Sequence, residues 1–323
     1  MKLPIIFLLL SITIFSCGIE PNIESGWILQ REKEDDITYY AIQFTDENNG
    51  WIVGYSGTIK KSANGGRNWA SQKSNVQSNL WDVCFINNQC GWICGAENTL
   101  LKTIDSGMNW TKIALSDSTN IVNVTIKFID TNNGWMSNNQ GEILKSSDGG
   151  LNWQIVKNNN IGGARLAVFD ESTVYFLSRY LFRTFNGGLK WDSMDVSTPK
   201  NYMRNEMFFP NPDHGFITTV NGTGGMIITE YPVIITKDSG NSWQTSSYMK
   251  TKSNGFNCVF FVDENNGWIA GDNIYKTNDG GENWILDHSI KEGMVHAKDM
   301  YFINPNLGWL LDWDGQVYKY QNN

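Results

Sequence analysis

One motif, S/T-x-D/N-x-G-x-x-W, recurs six times in this 323-residue chain, at Ser62 to Trp69, Thr103 to Trp110, Ser146 to Trp153, Thr184 to Trp191, Thr236 to Trp243 and Thr277 to Trp284. The closing tryptophans, Trp69, Trp110, Trp153, Trp191, Trp243 and Trp284, lie 41, 43, 38, 52 and 41 residues apart. A repeat near forty residues, with short apolar runs and glycine-rich turns, is too short to form a domain alone. It implies radial stacking of four-stranded units, a β-propeller.

Each unit reads the same way. An inner strand such as Tyr39 to Phe44 leads into an Asn-Gly turn, and a second strand opens at Gly50-Trp51, Gly91-Trp92, Gly134-Trp135, Gly215-Phe216, Gly267-Trp268 or Gly308-Trp309. Asn-Gly tolerates the positive φ of tight hairpins. A third strand, the box turn and a fourth strand starting at the box tryptophan follow. One unit, FDESTVYFLS, lacks the Gly-Trp pair. Inner strands end at Phe44, Phe85, Phe128, Phe169, Phe209, Phe261 and Phe302, so seven blades are expected. The last unit has no box, whereas Ser25 to Leu29 resembles a fourth strand; the N-terminal strand is therefore expected to close blade 7. The result is a single all-β domain over 25–323.

The box needs no ligand to explain it. Its Asp or Asn accepts backbone N–H groups of the following turn, its Gly takes an unusual φ, and its Trp buries a large ring. Asp46 and Asp263 begin DENNG, but the calcium-loop spacing and closing Glu are absent. No metal and no cofactor are expected.

Residues before the repeat differ in kind. Met1-Lys2 precedes a nearly unbroken apolar run, Leu3 to Phe15, of signal-peptide length. Ile14-Phe15-Ser16-Cys17 resembles the lipobox of bacterial lipoproteins, implying a signal peptide over 1–16, a lipid on Cys17, a tether over 17–24, and an exported chain anchored in the cell envelope. With net charge −8 and pI near 5.0, nothing points to nucleic acid. Cys84, Cys90 and Cys94 fall in one hairpin, where a disulfide is conceivable; Cys258 has no neighbour in sequence. Small apolar filler is the favoured reading of these four cysteines. The histidines His214, His288 and His296 are scattered.

The boxes, the Gly-Trp hairpins and the count of seven together resemble the Ycf48-like photosystem II assembly factors and their non-photosynthetic bacterial relatives, over Ser25 to Asn323. The resemblance implies a non-catalytic binding propeller with a protein partner. Sialidases and xyloglucanases also carry Asp boxes, so a glycan binder or glycoside hydrolase is the alternative. The sialidase Arg-Ile-Pro motif is missing, and no Ser-His-Asp order or phosphate loop appears.

A repeat supplies its own control: what recurs is architecture, and a costly residue that appears once needs another reason. Twelve of fourteen tryptophans hold repeat positions, which leaves Trp81 and Trp313. Arg183 falls where other blades have Lys61, Lys102, Lys145 and Lys276, Arg67 sits inside a box and Arg31 follows the closing strand, which leaves Arg165, Arg179 and Arg204. Four residues before each inner-strand Phe stand Tyr40, Trp81, Val124, Arg165, Asn205, Asn257 and Lys298, a variable ring at the strand entries. Arg179, Trp313 and the insertion Asn221 to Tyr231 fall in loops on the same face. A partner site is therefore expected there, formed by Arg165, Arg179, Arg204, Trp81, Tyr40, Trp313 and Lys298 on a monomer. The competing reading pairs each arginine with an acid such as Glu206 or Glu230. Asp82, Glu206 and Asp299, three before the Phe, are the candidate acidic pair of a hydrolase.

Overall fold

The computed structural model describes residues 26–33, 37–115, 122–158, 165–222, 229–252, 254–287 and 296–322. Cys17, the apolar leader, most of the blade 5 insertion and His288 lie outside them.

Seven four-stranded antiparallel sheets form the ring. In blade 1 the strands run Tyr39–Phe44, Asn49–Gly54, Ile59–Ala63 and Ala70–Gln72 from axis to rim. The fourth strand starts just after the box Trp, since the indole completes the turn. Blade 7 is built from both ends of the sequence: Gly26–Arg31 pairs with Val317–Gln321, Trp27 opposite Tyr320. The expected closure is present, and it leaves no open edge between first and last blades. In blade 5, Glu230–Tyr231 makes an additional two-stranded ladder with Met249–Lys250 that the repeat did not announce.

The six boxes repeat one hydrogen-bond pattern. In blade 3, Asn152 N–H donates to Asp148 Oδ1 at 2.9 Å, Gly150 N–H donates to Ser146 Oγ at 2.9 Å, and the Ser146 hydroxyl donates to Asp148 at 2.9 Å. Gly150 has φ +86°, a conformation costly for any residue with a Cβ. These bonds to the charged form, first of all the Asn152 N–H, hold the Asp148 carboxyl below its ordinary range.

Neighbouring blades are joined by aromatic stacking. Trp51 lies on Phe85 at 3.7 Å, Trp92 on Phe128 at 3.6 Å, Trp268 on Phe302 at 3.8 Å and Trp309 on Phe44 at 3.6 Å. The glycine before each Trp lets this happen: a Cβ on Gly308 would sit 2.3 Å from the Phe302 ring. In blade 4, which lacks Gly-Trp, Tyr175 takes over the stack, on Phe209 at 4.4 Å. Its hydroxyl donates to Ser239 O, as the Trp92 indole does to Gly149 O. Cys84, Cys90, Cys94 and Cys258 are buried free thiols, and burial pushes Cys84 up to about 11. They are fillers, as the sequence favoured, and none forms the conceivable disulfide.

Candidate functional site

Side chains reach the axis through an irregularity of the inner strands. The register slips between Tyr39 and Ala41, Leu80 and Asp82, Asn123 and Thr125, Arg204 and Met207, and Ala297 and Asp299. A β-bulge adds an unpaired residue and re-aims its side chain. Tyr40, Trp81, Val124 and Lys298 are such extra residues. At three bulges the position before the core residue is acidic and mostly buried: Asp82, Glu206 and Asp299.

Four of the expected site residues form one cluster from blades 7, 1 and 2. Tyr40 and Trp81 lie with ring centroids 4.3 Å apart at 30°. Lys298 Nζ stands 4.1 Å above the exposed Trp313 ring and 5.6 Å from the Tyr40 ring. Burial depresses the Lys298 ammonium below its ordinary range, and the charge of Arg165 adds to that depression. A cation over an aromatic face is stabilised by the ring quadrupole.

The three arginines are not a free triad. Arg165 Nε donates to Glu206 Oε2 at 2.5 Å, the acid that the competing reading named, and this neighbour raises the already basic guanidinium further. Arg204 donates to the carbonyls of Val196 and Arg179, which draws the Arg179 loop onto blade 5. Burial lowers Arg204. Arg179 lies 5.9 Å over the Tyr180 ring. Glu230, the other acid named, faces Lys250 at 3.9 Å. The structure thus yields an aromatic and lysine cluster, an Arg165–Glu206 pair electrostatically coupled to it, and a separate Arg179–Arg204 pair.

Below the entry ring lies a polar layer. Asp82 accepts the Ile126 N–H at 2.9 Å and faces Lys127 Nζ at 3.4 Å; Asp299 accepts the Ile42 N–H at 2.9 Å. Each carboxylate ties its own blade to the next. Burial, with the charges of Asp82 and Glu206, pushes Asp299 up to about 7, against the Ile42 N–H and Lys127. Lys127, Tyr301 and Gln43 complete this layer and escaped the sequence reading; all stand one residue before the inner-strand Phe, a position whose variability was the available signal. Among the described residues no group of three or more His, Cys, Asp or Glu could hold a metal ion.

The sequence matches the family described as Photosynthesis system II assembly factor YCF48 over residues 22–321. Of solved structures, a YCF48 bound to D1 peptide superposes with TM-score 0.74 at 23% identity, covering 92% of this chain and 97% of that one. YCF48 from Cyanidioschyzon merolae gives TM-score 0.75 at 19% identity, covering 92% and 99%. The GH74 xyloglucanase from Xanthomonas campestris gives 0.69 at 12% identity, and this chain spans only 54% of it while 93% of this chain is covered. Comparison with curated proteins returns no match. With nearly its whole length matched, this chain belongs to the YCF48 family of assembly factors.

Proposed function

We propose that this chain is a non-catalytic binding protein, tethered to a membrane through a lipid on Cys17, that holds a protein partner on the face bearing the inner-strand entries. The observation that carries the reading is the cluster of Tyr40, Trp81, Lys298 and Trp313, non-repeated residues contributed by three blades and gathered at one rim of the channel. Flat rings anchor a contact by area, and Lys298, with the charge of Arg165 felt beside it, favours carboxylates. A propeller of the same family, solved with a D1 peptide, supports a peptide or protein as the ligand class.

Glycan hydrolysis fits less well. Of the three candidate acids, Asp82 faces Lys127 and Glu206 is held by Arg165, so neither stands as a lone carboxylate across a cleft. The test is affinity purification of the acylated chain from its native membrane, beside Arg165→Glu and Arg204→Glu. A partner that co-purifies with the parent and is lost from the variants is the expected result. An unchanged set of partners, or turnover of sialosides or β-glucans that Asp82→Asn abolishes, overturns the reading.

A further inference from the structure

The opposite face carries a feature that the box chemistry does not use. Two positions in each box, the second and the sixth, point to solvent. In blades 2, 3 and 4 they hold Ile104, Met108, Leu151, Phe185 and Leu189, exposed by 72, 76, 59, 50 and 90%, and one polar residue, Ser147. In blades 1, 5 and 6 the same positions hold Ala63, Arg67, Lys237, Asn241, Asn278 and Glu282. Single exposed apolar residues are ordinary, but five of six such positions in three consecutive blades, set against none of comparable size at these positions in the others, make an apolar crescent.

The chain's own path says what covers it. The boxes share a face with the turns that follow the inner strands: Gly149 N–H donates to Asn132 O, and five other blades repeat the bond. Blade 7 has Asn322 N–H on Asn306 O in its place, and Gly26, the first described residue, pairs with Gln321 beside it. Gly26 therefore stands on the Asp-box face, and the tether expected over 17–24, with Cys17 at its start, precedes it in sequence. In a seven-blade ring, blade 7 lies nearly opposite blade 3.

We infer that the Asp-box face lies on a lipid bilayer, with the crescent of blades 2 to 4 inserted at the headgroup and acyl boundary across the ring from Gly26, which the lipidated tether precedes. This rests in part on the Cys17 anchor proposed above. An anchor at one edge alone leaves the disc free to swing; an apolar contact across the ring lays it flat and turns the entry face, with Trp313 and Lys298, to the aqueous side. Insertion here is apolar, not electrostatic, because the face carries acidic turns such as Asp130, Asp170 and Glu171 and the whole chain is acidic. Binding therefore does not need anionic lipid and resists salt.

The experiment uses the exported chain in phosphatidylcholine vesicles, with an environment-sensitive fluorophore on Met108→Cys, Leu189→Cys, Asn241→Cys or Trp313→Cys. Nitroxide lipid in the bilayer is expected to quench labels at 108 and 189 strongly, the label at 241 less, and the label at 313 hardly at all, unchanged in high salt. Intact mass at Cys17 reads the anchor separately. If Cys17 is not acylated but vesicles still quench 108 and 189, the anchor fails and the inserted crescent stands. A Met108→Asn and Leu189→Asn double variant, both at exposed positions and harmless to folding, is expected to weaken vesicle retention of non-acylated chain by roughly tenfold per side chain. Equal, weak quenching at 189 and 313 on an acylated chain overturns the inference, and so does sedimentation showing the crescent buried in a second copy.

Discussion

The two faces of this ring are made by opposite rules. On the Asp-box face the same hydroxyl, Asp or Asn side-chain oxygen and glycine N–H meet in the same way six times; on the entry face the side chain changes from blade to blade, with Asn205 and Asn257 alone alike. Repetition shows where selection acted on the fold, and its absence shows where something else was being satisfied. The difference should appear on mutation as well: scaffold positions should cost stability, and entry positions should cost binding.

The largest stability loss is expected at the seam where the chain closes. Trp309 is wholly buried, stacked on Phe44 and donating to Gly65 O at 3.0 Å. Trp309→Ala should lose about 3–5 kcal/mol, read from urea denaturation. Gly308→Ala, whose Cβ would meet the Phe302 ring, should lose about 1–3 kcal/mol by overpacking.

A box hydroxyl comes next. Thr277 Oγ1 accepts the buried Gly281 N–H at 3.0 Å and donates to Asp279 at 2.8 Å. Thr277→Val keeps the shape but strands that N–H, at a cost of about 1–3 kcal/mol. The chain supplies its own control, because Asn64 and Asn186 replace the box aspartate and still accept the turn N–H at 2.9 and 2.8 Å. Asp148→Asn should therefore be mild, and a large loss there would mean that the charge, not the acceptor geometry, holds the turn.

The two regions should also titrate in opposite senses. The turn carboxyls, Asp148 and Asp238 among them, are lowered by hydrogen bonds to their charged form. Their stabilisation is present above the ordinary carboxyl value of about 3.9 and is lost as pH falls through their folded values. Asp299, raised to about 7, does the reverse: the folded state binds its proton more tightly than the unfolded state, so stability rises as pH falls from 7 towards the unfolded value. Above 7 the buried charge is a burden. The urea midpoint is expected to be higher at pH 5.5 than at pH 8, and Asp299→Asn should flatten that difference by raising the midpoint at pH 8. No change in the slope would show that Asp299 ionises freely in the folded protein.

What the sequence revealed follows the same division. The repeat made blade number, box and Gly-Trp hairpin legible, because each is a local pattern offered several times over, and the closure followed from the two incomplete ends; that the Trp of one blade stacks on the Phe of the next was not legible. Even blade 4 was placed correctly through its box, although Tyr175 in place of Trp could not be foreseen as the stacking group. The entry ring was legible only by exclusion. Counting back from the Phe found Tyr40, Trp81 and Lys298, but not that each sits on a bulge, which changes where the chain points without changing its spacing. Nor could it decide that Arg165 meets Glu206, 41 residues on in the next blade, since such a pair depends on blade order and tilt. Lys127 and Gln43 were missed because they stand on alternating positions that read as ordinary strand.

The smallest stability effect is expected at Trp313, which makes this position decisive. Trp313 is 45% exposed, and Lys298 Nζ stands over its ring at 4.1 Å. An exposed cation–π contact is worth about 0.5–1 kcal/mol, and Lys298 keeps the Tyr40 ring when Trp313 is removed. Trp313→Ala should therefore shift the urea midpoint slightly while removing most co-purified partner. Trp81→Ala, which also breaks the contact with Tyr40, should cost somewhat more stability and as much binding. If either variant lost several kcal/mol and retained its partner, the variable ring would be scaffold as well. The contrast between the faces would then mark only how unevenly seven blades solve the same packing problem around an axis.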